Sequence, residues 1–88
     1  MTTTKPILDF KGHTNWVWSV AFSPNGQYVL TGSSDKTAKL WNVNDGKVVH
    51  TLQGHTDPVA SVAFSKNGQY LLTGSGDKTT KLWKSRTY

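Results

Sequence analysis

The chain has no cysteine, so no disulfide can hold it together. It has no glutamate either, and its five acidic groups, all aspartates, face ten Lys plus Arg. The formal charge of +5 allows some attraction to nucleic acid or acidic membranes, but the lysines are dispersed rather than packed into a basic block. Charge alone therefore names no partner. No apolar run approaches the ~18 residues of a membrane span, and residues 1–11 carry neither an apolar h-region nor a small-residue cleavage site. A soluble, cytoplasmic chain is expected, with no membrane partner. At 88 residues, a lone domain would bury only about 60 % of the surface its unfolded chain exposes.

What the chain does contain is a repeat. Gly12-His13-Thr14 returns as Gly54-His55-Thr56 and Leu40-Trp41 as Leu82-Trp83, a period of 42 residues. Between Gly12 and Trp41, 23 of 30 positions match their counterparts, which leaves no room for a linker or low-complexity segment. Each unit has the periodicity of strands: short aromatic and β-branched stretches cut by turn residues, with no 3.6-residue apolar stripe. Val17 to Phe22, Tyr28 to Ser33, Thr37 to Val43 and Lys47 to Leu52 read as four strands of an antiparallel meander. Asn25-Gly26 and Asn67-Gly68 supply the positive-φ pair of a tight hairpin. Ser34-Asp35-Lys36 and Asn44-Asp45-Gly46 supply the later turns. Strands 17–22 and 59–64 are apolar or small at nearly every position, as in sheets covered on both faces, whereas 47–52 carries His50 and Thr51 like an outer, wetter strand. Sheets stacked around an axis with the most apolar strand innermost produce this gradient.

The two segments GHTNWVWSVAFSPNGQYVLTGSSDKTAKLW and GHTDPVASVAFSKNGQYLLTGSGDKTTKLW resemble the blades of the WD-repeat β-propeller family, and the resemblance covers nearly the whole chain. Asn42 and Lys84 stand where the family usually has Asp after the Trp. The resemblance implies an all-β chain of two four-stranded blades. Residues 5–11 align with 47–53 and so resemble an outer strand; 12–53 form the first blade, and 54–88 the second, lacking an outer strand of its own. In single-chain propellers of this family, that offset closes the ring. Two blades cannot close one, since propellers have about 4–8, and a lone pair exposes apolar faces and a strand edge. The expectation is a head-to-tail ring of identical chains. Pro6, Ile7, Leu8, Asp9 and Phe10 of one chain would complete the second blade of its neighbour. Four copies give eight blades and are preferred; three give six.

His13, Ser33 and Asp35, with His55, Ser75 and Asp77, contain the ingredients of a nucleophilic triad. The family resemblance assigns them instead to a buried network: Trp41 and Trp83 donate to a hydroxyl of the second strand, that residue bonds His, and His bonds Asp. Ser33 and Ser75 are the chosen hydroxyls, with Thr31 and Thr73 on the same strand face. Buried indole, imidazole and carboxylate groups need such partners. Both units repeat the set and no Gly-x-Ser-x-Gly elbow is present, which favours a structural role over a hydrolase. His13, His50 and His55 lack metal-ligand spacing, and Gly74-Ser75-Gly76 is only a fragment of a phosphate loop, so neither metal nor cofactor is expected.

By the same resemblance, the partner-binding rim comprises Asn15, Trp16, Trp18 and Ser34 in the first blade and Asp57, Pro58, Ala60 and Gly76 in the second. Trp16 and Trp18 are candidate hot-spot residues, against the plainer alternative that Trp18 fills space between blades and Trp16 is ordinary blade sequence. Lys36, Lys39, Lys78 and Lys81 would multiply into charged rings but suit solvated faces, so nucleic acid is an unlikely partner. The expected function is a non-enzymatic, self-assembling protein-interaction scaffold. The alternative is a fragment-like, ancestor-like or engineered propeller whose only activity is self-assembly, favoured by the near identity of the repeats.

Overall fold

Short runs of Val, Phe, Tyr, Leu and Trp separated by turn residues form seven strands in the computed structural model, which describes residues 4–85. They are β1 (Val17–Phe22), β2 (Tyr28–Ser33), β3 (Ala38–Asn42), β4 (Val48–Leu52), β5 (Val59–Phe64), β6 (Tyr70–Ser75) and β7 (Thr80–Lys84). Strands β1-β2-β3-β4 make one antiparallel sheet and β5-β6-β7 a second. The two sheets are copies in register: Val29 opposes Trp41 as Leu71 opposes Trp83, and Thr31 opposes Lys39 as Thr73 opposes Lys81. The end of the expected second blade, 86–88, lies outside the described residues. Residues 5–11, expected as an outer strand on the second blade of a neighbouring copy, join no ladder within this chain.

The first hairpin differs from the expected two-residue turn. Only Gly26 has positive φ (73°), and its amide donates to the Ser23 carbonyl at 2.9 Å. The turn is therefore Ser23-Pro24-Asn25-Gly26, with Pro24 presetting the second position. Asn25 closes it as an acceptor instead, taking the Gln27 amide at 3.0 Å and the Ser23 hydroxyl at 2.7 Å. Ser65 to Gly68 repeats the arrangement with Lys66 in place of Pro24.

The sheets stack face to face through their inner strands, with β5 packed on β1 and β2. Leu30, Ala38, Val59, Val62 and Leu71 form the core, flanked by Ala21, Leu52, Phe64 and Trp83. Gly32 permits the contact: a Cβ there would lie 2.8 Å from Val59 Cγ1 and 2.9 Å from its carbonyl oxygen. The Val62 amide donates to Ser19 Oγ across the gap at 3.3 Å.

Burial departs from the expected gradient. The deepest strands are β2 and β3, whereas β1 is largely exposed. The reason is that each sheet has only one neighbour. Val62 on the covered face of the second sheet is 8 % exposed, while its copy Val20 on the outward face of the first is 66 % exposed. Conversely, Leu40 is fully buried between the sheets and its copy Leu82, on the far face of the second, is 66 % exposed.

Candidate functional site

The strand register decides which hydroxyl meets which indole. Trp41 opposes Val29, so the next residue of β2 on that face is Thr31, about 7 Å along the strand, and Ser33 lies about 13 Å along. Trp41 Nε1 accordingly donates to Thr31 Oγ1 at 2.8 Å. Thr31 Oγ1 meets His13 Nε2 at 2.6 Å, and His13 Nδ1 meets Asp35 Oδ2 at 2.7 Å. With the ring proton on Nδ1, the relay runs one way: indole to hydroxyl, hydroxyl to imidazole, imidazole to carboxylate. In the second sheet, Trp83 Nε1 donates to Thr73 at 2.9 Å, Thr73 meets His55 at 2.7 Å and His55 meets Asp77 at 2.8 Å. The choice of Ser33 and Ser75 is thus corrected to Thr31 and Thr73. The register that pairs Trp41 with Val29 decides between them, and spacing along one strand does not give that register.

Ser33 and Ser75 do other work. The Ser33 hydroxyl accepts the Asp35 amide at 3.1 Å and donates to the Asn15 carbonyl at 3.3 Å; Ser75 bridges the Asp77 amide and the Asp57 carbonyl in the same way. Each serine ties a β-turn to the loop before β1 or β5. His, Ser and Asp therefore do not assemble as a triad. The hydroxyl that faces the imidazole belongs to a buried threonine already occupied by an indole.

Like Asp77 in the second sheet, Asp35 accepts four hydrogen bonds on its carboxylate. Its Oδ1 accepts the Thr37 hydroxyl at 2.6 Å and the Thr37 amide at 2.9 Å, while Oδ2 accepts the Thr14 amide at 3.1 Å besides His13. Burial pushes its pKa up, but the Thr37 hydroxyl, His13 and the two amides outweigh burial and lower it to about 2. The Thr79 hydroxyl, aided by His55 and the amides of Thr79 and Thr56, lowers Asp77 further against the effect of burial. Thr14, Thr37, Thr56 and Thr79 complete the network.

At the rim, the ring centroids of Trp16 and Trp18 lie 5.7 Å apart edge to face, and Trp18 Nε1 donates to Ser34 Oγ. Asn15 Oδ1 accepts the Trp16 amide at 2.8 Å. Trp18, Ser34, Pro58, Ala60 and Gly76 line one open apolar groove between the sheets, with the Asp57 side chain beside Gly76. Trp16 is 72 % and Trp18 54 % exposed in this chain, with Trp18 standing between the two sheets. Among the described residues, no group of three or more His, Asp or Glu side chains is placed to hold a metal ion, and no helix is long and apolar enough to cross a membrane.

The chain is 45 % identical over 51 residues to ribosome assembly protein 4 of Saccharomyces cerevisiae, covering 58 % of this chain and 10 % of that protein. It is 40 % identical over 50 residues to the ribosome biogenesis protein BOP1 homolog of Drosophila grimshawi, covering 57 % of this chain and 6 % of that one. The chain thus spans a tenth or less of the length of these relatives. Among solved structures, U3-55K superposes with a TM-score of 0.84 over 89 % of this chain and 26 % of its own, at 23 % identity, and so shares the fold. The family model described as WD domain, G-beta repeat matches residues 4–42 and again 46–84. With two sheets, two Trp-Thr-His-Asp relays and two matched repeats, this chain belongs to the WD-repeat family.

Proposed function

We propose that the chain is a non-enzymatic WD-repeat unit that docks head to tail on copies of itself and presents its Trp-bearing rim to a protein partner. One observation carries the assembly: each exposed face is a copy of a face already buried within the chain. Val17, Val20 and Phe22 on the outward face of the first sheet repeat Val59, Val62 and Phe64, which pack against it from the second. Leu72 and Leu82 on the far side repeat the buried Leu30 and Leu40. The β5-on-β2 contact can therefore recur between chains, with β1 of one chain on β6 of the next. Each such side chain contributes about 1.5–3 kcal/mol when covered. The contact is heterologous, so it closes only by rotation. Four chains would supply eight blades, the preferred closure, and three would supply six. Burial and indole occupancy of Thr31 support a structural role for the polar relay. The relatives' names, in ribosome assembly and biogenesis, fit a rim that meets other proteins.

The test uses two variants. Phe22→Asp spoils one face and Leu82→Asp the other, at exposed positions that leave the core alone. Native mass spectrometry should find wild type as a trimer or tetramer, each variant as a monomer, and the mixture as a heterodimer joined through the two intact faces. Wild type that stays monomeric, or a single variant that still self-associates, overturns the head-to-tail reading.

A further inference from the structure

Among the described residues, the outer edge of β7 carries no strand, and the segment before β1 carries no ladder. That segment is nevertheless docked. The Phe10 and Trp41 rings lie 5.6 Å apart edge to face, and Leu8 and Asp9 run past Gly46. Shifted by one 42-residue repeat, Phe10 becomes Leu52 and Trp41 becomes Trp83, and Leu52 packs in the same cluster as Trp83. Leu52 reaches Trp83 because it sits on β4, the outer strand of the preceding blade. Residues 5–11 thus occupy, against the first sheet, the place of an outer strand whose own sheet is not in this chain.

We infer that residues 5–11 pair with β7 of a neighbouring copy in one register, Phe10 with Thr80, Asp9 with Lys81 and Leu8 with Leu82, and that an Asp9–Lys81 ion pair selects it. This rests on the head-to-tail reading above. The register follows from β3 and β4, where Ala38 opposes Leu52, Lys39 opposes Thr51 and Leu40 opposes His50. Lys39 Nζ donates to Thr51 Oγ1 across that ladder at 3.1 Å. Within the chain this lysine meets a neutral hydroxyl; between chains, its copy Lys81 meets the carboxylate of Asp9. The same ladder places Val49 as an extra residue in a bulge and Val48 opposite Trp41. Their copies are Ile7 and Pro6. Proline is tolerated at the start of an outer strand, where no ladder donor is required. Ile7, at 97 % exposed the most solvated large apolar residue among the described residues, would gain cover. A slip by one residue would put Phe10 or Leu8 opposite Lys81, lose the charge pair and turn every side chain to the wrong face.

Charge reversal and cross-linking test the register. Asp9→Lys and Lys81→Asp should each raise the concentration at which the assembly half-dissociates, by about 3- to 10-fold per contact, since like charges then oppose. The double variant, which restores opposite charges at every contact, should recover wild-type behaviour. The chain has no cysteine, so a mixture of Asp9→Cys and Lys81→Cys should yield a covalent heterodimer on oxidation. Unchanged dissociation and no cross-link, with Phe22→Asp still monomeric, overturn the strand exchange and leave face docking intact. If Phe22→Asp also remains assembled, the docking reading fails with it.

Discussion

Thr31 carries more than its size suggests, since one hydroxyl serves both a fully buried indole and a buried imidazole. Thr31→Val keeps the shape and removes the oxygen, leaving the Trp41 N–H and His13 Nε2 without a partner, while His13 Nδ1 keeps Asp35. Each unmet buried group costs about 1–3 kcal/mol, so chemical denaturation should show a loss of about 2–6 kcal/mol for the two left by Thr31→Val. Thr31→Ser should retain most of the stability, and Ser33→Ala, which loses one bond within the turn and one to the Asn15 carbonyl, should cost about 0.5–1.5 kcal/mol for each. The relay also sets an acid limit. Asp35 titrates at about 2 in the fold, against 3.8 ordinarily; its stabilisation is fully present above the unfolded value and is lost as pH falls through the folded one. Stability measured by denaturant should therefore decline between about pH 4 and 2. Asp35→Asn should flatten that decline while lowering stability at neutral pH. The composition of the network followed from the family resemblance carried by the repeated Gly-His, Asp and Trp. Its hydroxyl was not, because Thr31 and Ser33 share a face and only the partner strand's register separates them.

At the scale of the turn, two residues with nearly the same backbone invite opposite predictions. Gly26 has φ 73° and Lys36 φ 75°. A Cβ on Gly26 would touch nothing within 4 Å, so Gly26→Ala isolates the backbone penalty of the left-handed region. The expected loss is about 1 kcal/mol. Lys36 already bears that penalty, held there by Ser33, whose carbonyl accepts its amide at 3.2 Å, and by Asp35 beside it. Lys36→Gly should stabilise, by less than about 1 kcal/mol because glycine also frees the unfolded chain. Thermal melts of the two variants should move in opposite directions. The strands themselves were legible to within a residue or so: Thr37 and Val43 fall outside β3, and Lys47 outside β4. Asn25-Gly26 marked a turn correctly but not its type: the turn runs from Ser23 to Gly26, one residue earlier, and Ser65 to Gly68 does the same without a proline.

For the whole molecule, the pair Gly32 and Gly74 separates folding from assembly. The two occupy equivalent positions in β2 and β6, one repeat apart. A Cβ at Gly32 would run into Val59 and Val62, at 2.8 to 3.0 Å, and the obstacle includes backbone that cannot swing away. At Gly74 it would meet only Ser61 Cβ at 3.8 Å, an ordinary contact, because that face has no neighbour within the chain. Gly32→Ala must therefore push the sheets apart, and a loss of about 1–3 kcal/mol is expected from overpacking. Gly74→Ala should leave the isolated chain's unfolding midpoint at high dilution within about 0.5 kcal/mol of wild type. If Val17 and Val20 of a second copy approach Gly74 as Val59 and Val62 approach Gly32, the same methyl must weaken association by a comparable amount. That is about 5- to 150-fold in the dissociation concentration. Dilution-dependent native mass spectra, beside denaturation of the dissociated chain, separate the two effects. A Gly74→Ala chain that assembles as tightly as wild type would mean that its far face meets something other than a copy of the first sheet.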